Sequence, residues 1–232
     1  MSELEPRGTS NKDQPRAAAR YGIDSLHPIG GEMSDIVIGL IRRFQLSELT
    51  KYHNSTIVLA VFSLINGFIS IGLMSVVALF TKGPFIFPSL GPTAFLFFYT
   101  PTAPPSSPRN TICGHLIGAL AGWASLALFG LTAAPPALAS GVAWPRVGAA
   151  ALSLGLTAGL MVLCKVPHPP AGATTLIVSL GLMPHIQQVP ILMAAVVLLT
   201  LQAIIINRLA GIDFPLWAPR SQSSPVEGHT RN

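Results

Sequence analysis

Between residues 56 and 207 the chain has no Asp and no Glu, and its only Lys or Arg residues there are Lys82, Arg109, Arg146 and Lys165. Inside this stretch lie four apolar runs free of Lys, Arg, Asp and Glu, at residues 56–80, 111–131, 147–164 and 189–206. A run of about 18 apolar residues is long enough to cross a bilayer as a helix. Of the 232 residues 10% are charged, against roughly 25% in ordinary soluble domains. The expected fold is an all-α membrane protein with four full transmembrane helices.

Two related breaks interrupt the apolar sequence, Pro88-Ser89-Leu90-Gly91-Pro92-Thr93-Ala94 and Pro167-His168-Pro169-Pro170-Ala171-Gly172-Ala173-Thr174-Thr175. Unpaired backbone groups cost several kcal/mol each in lipid, so irregular backbone survives there only when buried in protein or lining a wet cavity. Each break is followed by a short apolar piece, 91–99 and 171–182, which at 1.5 Å per residue makes a half-helix of about 13 or 18 Å. Aligning Pro88-x-x-Gly91-x-Thr93 with Pro169-x-x-Gly172-x-Thr174 gives an offset of 81 residues, which also lays the first long run on the third and the second on the fourth. The pattern is an internal duplication of helix, broken segment, helix.

If the broken segments are re-entrant, Lys82, Arg109 and Lys165 lie opposite the other 11 of the 14 Lys and Arg; if they cross, only Lys82 and Arg146 do. Both versions place both termini in the cytoplasm, because Lys and Arg near helix ends favour that side. Residues 1–35 and 211–232 are polar and unpatterned and are expected to be disordered tails. Residues 36–51 put Ile36, Val37, Leu40, Ile41, Phe44 and Leu49 mainly on one face, the pattern of an interfacial amphipathic helix, ahead of a transmembrane domain at 52–210. No cleavable leader is expected, so the first membrane helix is expected to direct insertion. Cys113 and Cys164, without further ligands nearby, are expected to be ordinary thiols.

Intramembrane carboxylates are the usual hardware of cation sites, proton relays and metal cages, so their absence disfavours a cation carrier. Each half-helix starts inside the membrane, where its first N–H groups and the positive end of its dipole suit an anion. Backbone near Gly91 and Gly172 is expected to hold that anion, with hydroxyl donors from Thr93, Thr174 and Thr175, while Pro169 and Pro170 set the helix start. His168 either caps a turn or works in the pathway, where it donates a hydrogen bond or titrates if the anion moves with a proton. Lys82, Arg109 and Lys165 flank the broken segments as pathway cations or as anchors that snorkel to headgroups. His115 and His185 read as interfacial, and Asn66 and Gln202 as helix-to-helix hydrogen-bonding groups. Gly114, Gly118 and Gly122 line one helix face and permit close packing, within the chain or in a homo-oligomer.

Three ordered blocks, Pro88 to Ala94, Pro108-Arg109-Asn110-Thr111-Ile112-Cys113-Gly114-His115 and Pro167 to Thr175, resemble the HPP family of integral membrane proteins over roughly residues 50–210. The family takes its name from the tripeptide that stands here as His168-Pro169-Pro170. The resemblance implies four transmembrane helices and, from plastid and cyanobacterial members, nitrite transport. Some bacterial relatives carry a C-terminal nucleotide-sensing CBS region, and none is expected here. The leading expectation is a transporter or channel for a small inorganic anion in a bacterial inner membrane, with nitrite first. Its expected partners are the anion and membrane lipid, with no nucleic acid, metal or cofactor. A structural or regulatory membrane subunit is one alternative. A membrane enzyme acting on a lipid-linked substrate is another, although it lacks a carboxylate to orient its histidines.

Overall fold

The structure, a computed structural model, describes residues 45–219, all within the compact unit 39–232. The expected tail at 1–35 and residues 36–44 of the expected interfacial helix lie outside the described residues. Regular structure among the described residues is entirely helical. A short helix α1 (Leu46–Tyr52) precedes α2 (Ser55–Thr81), the half-helix α3 (Leu90–Tyr99) and α4 (Pro108–Leu128). After the single turn α5 (Ala137–Ser140) come α6 (Trp144–Leu163), the half-helix α7 (Ala171–Ser179) and α8 (Val189–Leu209). The four long helices are long and apolar enough to cross a membrane.

Their starts are chemically marked. The Asn54 side chain accepts from the N–H of Thr56 at 2.9 Å and of Ile57 at 3.4 Å, and Pro stands in the first two positions of α4, α6 and α8. The first N–H groups of a helix have no partner in the helix, so a cap satisfies them and a proline dispenses with one.

The duplication is present in three dimensions. The pairs Leu90 and Ala171, Tyr99 and Leu180, and Pro108 and Val189 are each 81 positions apart, and they bound the half-helices and begin the last helix of each repeat. Lys82 and Lys165 follow the first long helix of each repeat with φ of 55° and 54°, the only positive values among the described non-glycine residues.

Contacts at the two ends of the bundle decide the path of the broken segments. At one end Arg109 Nη2 donates to the Lys165 carbonyl at 3.0 Å, Arg109 N–H to the Trp217 carbonyl at 3.0 Å and Leu46 N–H to the Ala210 carbonyl at 3.0 Å. The starts of α2 and α4 and the ends of α6 and α8 therefore share this Arg109 end. At the other, Arg146 donates to the carbonyls of Ser179 at 3.1 Å and Pro135 at 2.9 Å. That joins the end of α7 to the start of α6. The end of α3 returns to the Arg109 end, where Asn207 Nδ2 donates to the Phe97 carbonyl at 3.1 Å and the Ser63 hydroxyl to the Phe98 carbonyl at 3.3 Å. Each broken segment thus crosses the bundle, half as extended chain and half as helix, and the repeats run in opposite directions. Crossing, rather than re-entry, separates Lys82 and Arg146 from the other cations placed.

The glycine face of α4 determines how closely this can pack. An added Cβ would sit 2.8 Å from His168 Cβ at Gly114, 2.6 Å from the Ala171 carbonyl oxygen at Gly118, and 2.8 Å from the Thr175 carbonyl oxygen at Gly122. The face expected to serve either this chain or a second copy is filled by α7 and His168 of the same chain. The equivalent positions of α8 are Ala195, Leu199 and Ala203, all wholly buried. Within residues 211–219, expected in the disordered tail, Phe214 is wholly buried, its ring edge-on to Phe97 at 5.8 Å. The outward side of α2 stays exposed, including Leu64 and Phe68, as a lipid-facing helix requires.

Two outcomes follow. In a cysteine-free background, K82C and K165C label from opposite sides of sealed vesicles; labelling from one side would restore re-entry. G118V lowers thermal stability by about 1–3 kcal/mol through overpacking, whereas G155A, where an added Cβ meets nothing within 4 Å, leaves the melting temperature nearly unchanged.

Candidate functional site

The Pro167-His168 stretch, followed by a turn at Pro169-Pro170, delivers His168 into the bundle and supplies prolines that have no N–H to leave unpaired. Behind it, Ala171 N–H donates to the His168 carbonyl at 3.0 Å, Gly172 N–H to Pro169 at 2.9 Å and Ala173 N–H to Pro170 at 3.1 Å. The backbone donors expected to hold an anion around Gly172 are therefore already engaged. Gly91 is exposed, with nothing within 4 Å of an added Cβ, and at Gly172 the Cβ would meet only Leu154 Cδ1 at 3.4 Å. Neither glycine marks a close approach. The half-helix starts offer the interior their dipoles and the side chains of their first turns.

Those side chains meet on His115, which is wholly buried in α4 and not interfacial as expected. Its Nε2 lies 2.9 Å from Thr93 Oγ1 and its Nδ1 lies 2.7 Å from Thr174 Oγ1. The two threonines are equivalent in the duplication, so each repeat contributes one hydroxyl to one imidazole. His168 completes the cluster: its Nε2 is 3.2 Å from His115 Nε2 and 3.3 Å from Thr93 Oγ1, and its Nδ1 is 2.7 Å from the Pro105 carbonyl oxygen and 3.4 Å from Thr111 Oγ1. All five side chains are buried to 0–1% exposure, so the cluster is closed to both ends of the bundle.

A carbonyl can only accept, so Nδ1 of His168 carries hydrogen and its Nε2 is a lone pair when the ring is neutral. The Thr93 hydroxyl donates to the Ser89 carbonyl at 3.0 Å, which leaves its oxygen to accept from His115 Nε2–H. His115 Nδ1 then accepts from the Thr174 hydroxyl. With both rings neutral, and His115 Nε2–H shared between Thr93 Oγ1 and His168 Nε2, every ring nitrogen has a partner, as a buried polar network requires. His168 thus combines the two roles open to it, bonding backbone through Nδ1 and facing the cluster through Nε2.

Among the buried hydroxyls without a hydrogen-bond partner are those of Ser89, the N-cap of α3, and Thr175 in the first turns of α7, whose Oγ1 faces Gly122 of α4. They are the unspent donors of the half-helix starts. The expected cations stand elsewhere. Lys82 and Lys165 are exposed at opposite ends, and Arg109 spends its guanidinium on the Lys165 carbonyl at 3.0 Å and on Asn110 Oδ1 at 3.2 Å. Arg146, 4% exposed, donates to the carbonyl of Ser179 at the end of α7, where a cation complements the dipole. Asn66 bonds the carbonyl of Phe62 in its own helix at 2.8 Å and the Gln202 amide has no partner, so neither makes the expected interhelical bond; Asn207 does. His185 is exposed, in line with its interfacial reading. Among the described residues no group of three or more His, Cys, Asp or Glu could hold a metal.

Four apolar spanning helices with two broken crossings of opposite direction define an integral membrane protein built from inverted repeats. The chain belongs to the HPP family: the family described as HPP, transmembrane region, matches residues 52–215. No curated protein and no solved structure gives a significant match.

The hydrogen-bond assignment has a direct check. Nitrogen-15 spectra at neutral pH will show His168 protonated at Nδ1 and His115 at Nε2, and the reverse pair of tautomers would overturn it.

Proposed function

We propose that this chain carries a small inorganic anion across the membrane, nitrite first and nitrate or another monovalent anion next. The observation that carries the reading is the convergence of two oppositely directed half-helix starts on the Thr93, His115, His168 and Thr174 cluster, in a core without a carboxylate. Helix N-termini favour negative charge, and intramembrane ionisable groups mark transport pathways. The unspent Ser89 and Thr175 hydroxyls supply donors that a weakly hydrated anion can use without a paired arginine. Burial of the whole cluster favours a carrier that opens to one side at a time over an open channel. Crossing topology leaves Lys51, Arg109, Lys165 and Arg208, four of the six described Lys and Arg, at the end where α2 begins and α8 finishes, which supports a cytoplasmic location for both ends in a bacterial inner membrane. An enzyme is disfavoured because residues 56–207 hold no carboxylate to orient either histidine.

Uptake of labelled nitrite into proteoliposomes tests the reading. H115A is expected to lower the initial rate by at least about tenfold, the equivalent of one charge-assisted hydrogen bond, while K82A retains most of it. Uptake equal to that of protein-free vesicles, under both a proton gradient and a membrane potential, would overturn it.

A further inference from the structure

We infer that His115 binds one proton with each anion, as an imidazolium held between Thr93 and Thr174, so that the species moved is anion plus proton. This deepens the anion-carrier reading and rests on it. In the neutral cluster His115 already donates from Nε2 towards Thr93 Oγ1 at 2.9 Å, and its Nδ1 holds the lone pair that meets the Thr174 hydroxyl at 2.7 Å. A proton added at Nδ1 needs a single change: the Thr174 hydroxyl turns round and accepts. Thr93 is already in that state, because it donates its own hydrogen to the Ser89 carbonyl four residues back. Pro170 is the residue four back from Thr174, and it is the duplicate of Ser89. The charged site is thus the more symmetric one, with a repeat-related hydroxyl accepting at each ring nitrogen and the lone pair of His168 Nε2 3.2 Å away.

Such an imidazolium has no counter-charge beside it among the described residues. His168 faces it from the loop before α7; α7 itself carries no titratable group, and α3 carries only Tyr99 at its far end. From α4, Arg109 is turned to the Lys165 carbonyl and Cys113 is partly exposed; from α6, Arg146 is bound to the Ser179 and Pro135 carbonyls at the opposite end. Arg208 of α8 donates to the Phe214 carbonyl at 2.9 Å. No acid lies between residues 56 and 207, and the two half-helix starts oppose a positive charge. A buried charge without a partner is strongly disfavoured, so the anion is the missing partner. Each ligand therefore raises the affinity for the other, by the same factor. The proton comes from the water on the side of loading and leaves to the water on the side of release, after which His115 is neutral again.

Titration calorimetry of the full chain with sodium nitrite, in two buffers of different ionisation heat, counts the protons. One proton is expected to be taken up per nitrite, with affinity falling about tenfold per pH unit once His115 is neutral in the free protein. In proteoliposomes an inward proton gradient is expected to drive accumulation, and a membrane potential alone is not. H115Q, which keeps a donor and an acceptor but cannot titrate, is expected to bind nitrite more weakly, without proton uptake and without pH dependence. T174V, which keeps both imidazoles, is expected to move the loss of proton uptake to lower pH, because the imidazolium loses an acceptor. Nitrite binding by the unaltered chain without proton uptake would overturn the inference and leave the carrier reading standing. So would a full proton retained in H115Q, or a T174V profile unchanged in pH. No nitrite binding or transport at all would overturn the carrier reading, and this inference with it.

Discussion

The close approach of α7 to α4 along Gly114, Gly118 and Gly122 is the contact on which the centre of the molecule depends. A backbone carbonyl of α7 lies where a side chain of α4 would begin, and only glycine leaves that volume empty. This spacing buries a crossing segment that is half extended chain, whose polar backbone lipid could not accommodate. It also seats His168 and Thr174 within hydrogen-bonding distance of His115. Larger residues along the stripe would separate the half-helix from α4 and so dismantle the cluster as well as the packing.

Symmetry and its breaking are both present at the site. Thr93 and Thr174 occupy equivalent positions in the two repeats, whereas His115 and His168 have no histidine counterpart, their equivalents being Val196 and Phe87. Two half-helix starts of opposite direction therefore share one imidazole. The same duplication places small residues on both inner helices, but Leu199 stands where Gly118 would recur, so α3 has no comparable seat on α8. An inverted pair with unequal packing suits a carrier in which one half rocks against the other.

Much of this was legible in the sequence because membrane helices obey a length rule. The four spans, the two half-helices and the 81-residue offset follow from apolar runs and breakers alone. His115 was misread because a histidine a few residues into an apolar run looks interfacial. The signal that locates it is its neighbour Gly114, the start of the small-residue face where another segment comes closest. Sequence left Lys82, Arg109 and Lys165 open as pathway cations or anchors because they flank the broken segments, and chain that crosses the bundle carries its flanks away from its middle.

What the sequence determined by itself is the membrane environment, the helical fold, the duplication and the exclusion of acid from the core, since each depends on composition and period along one chain. Only the tertiary structure decided that the broken segments cross, that the glycine face is taken by α7, and that Thr93, His115, His168 and Thr174 form one network. The network joins residues 22 to 75 positions apart and the crossing rests on contacts such as Asn207 to Phe97, 110 apart, brought together by close backbone packing that no single stretch of sequence encodes.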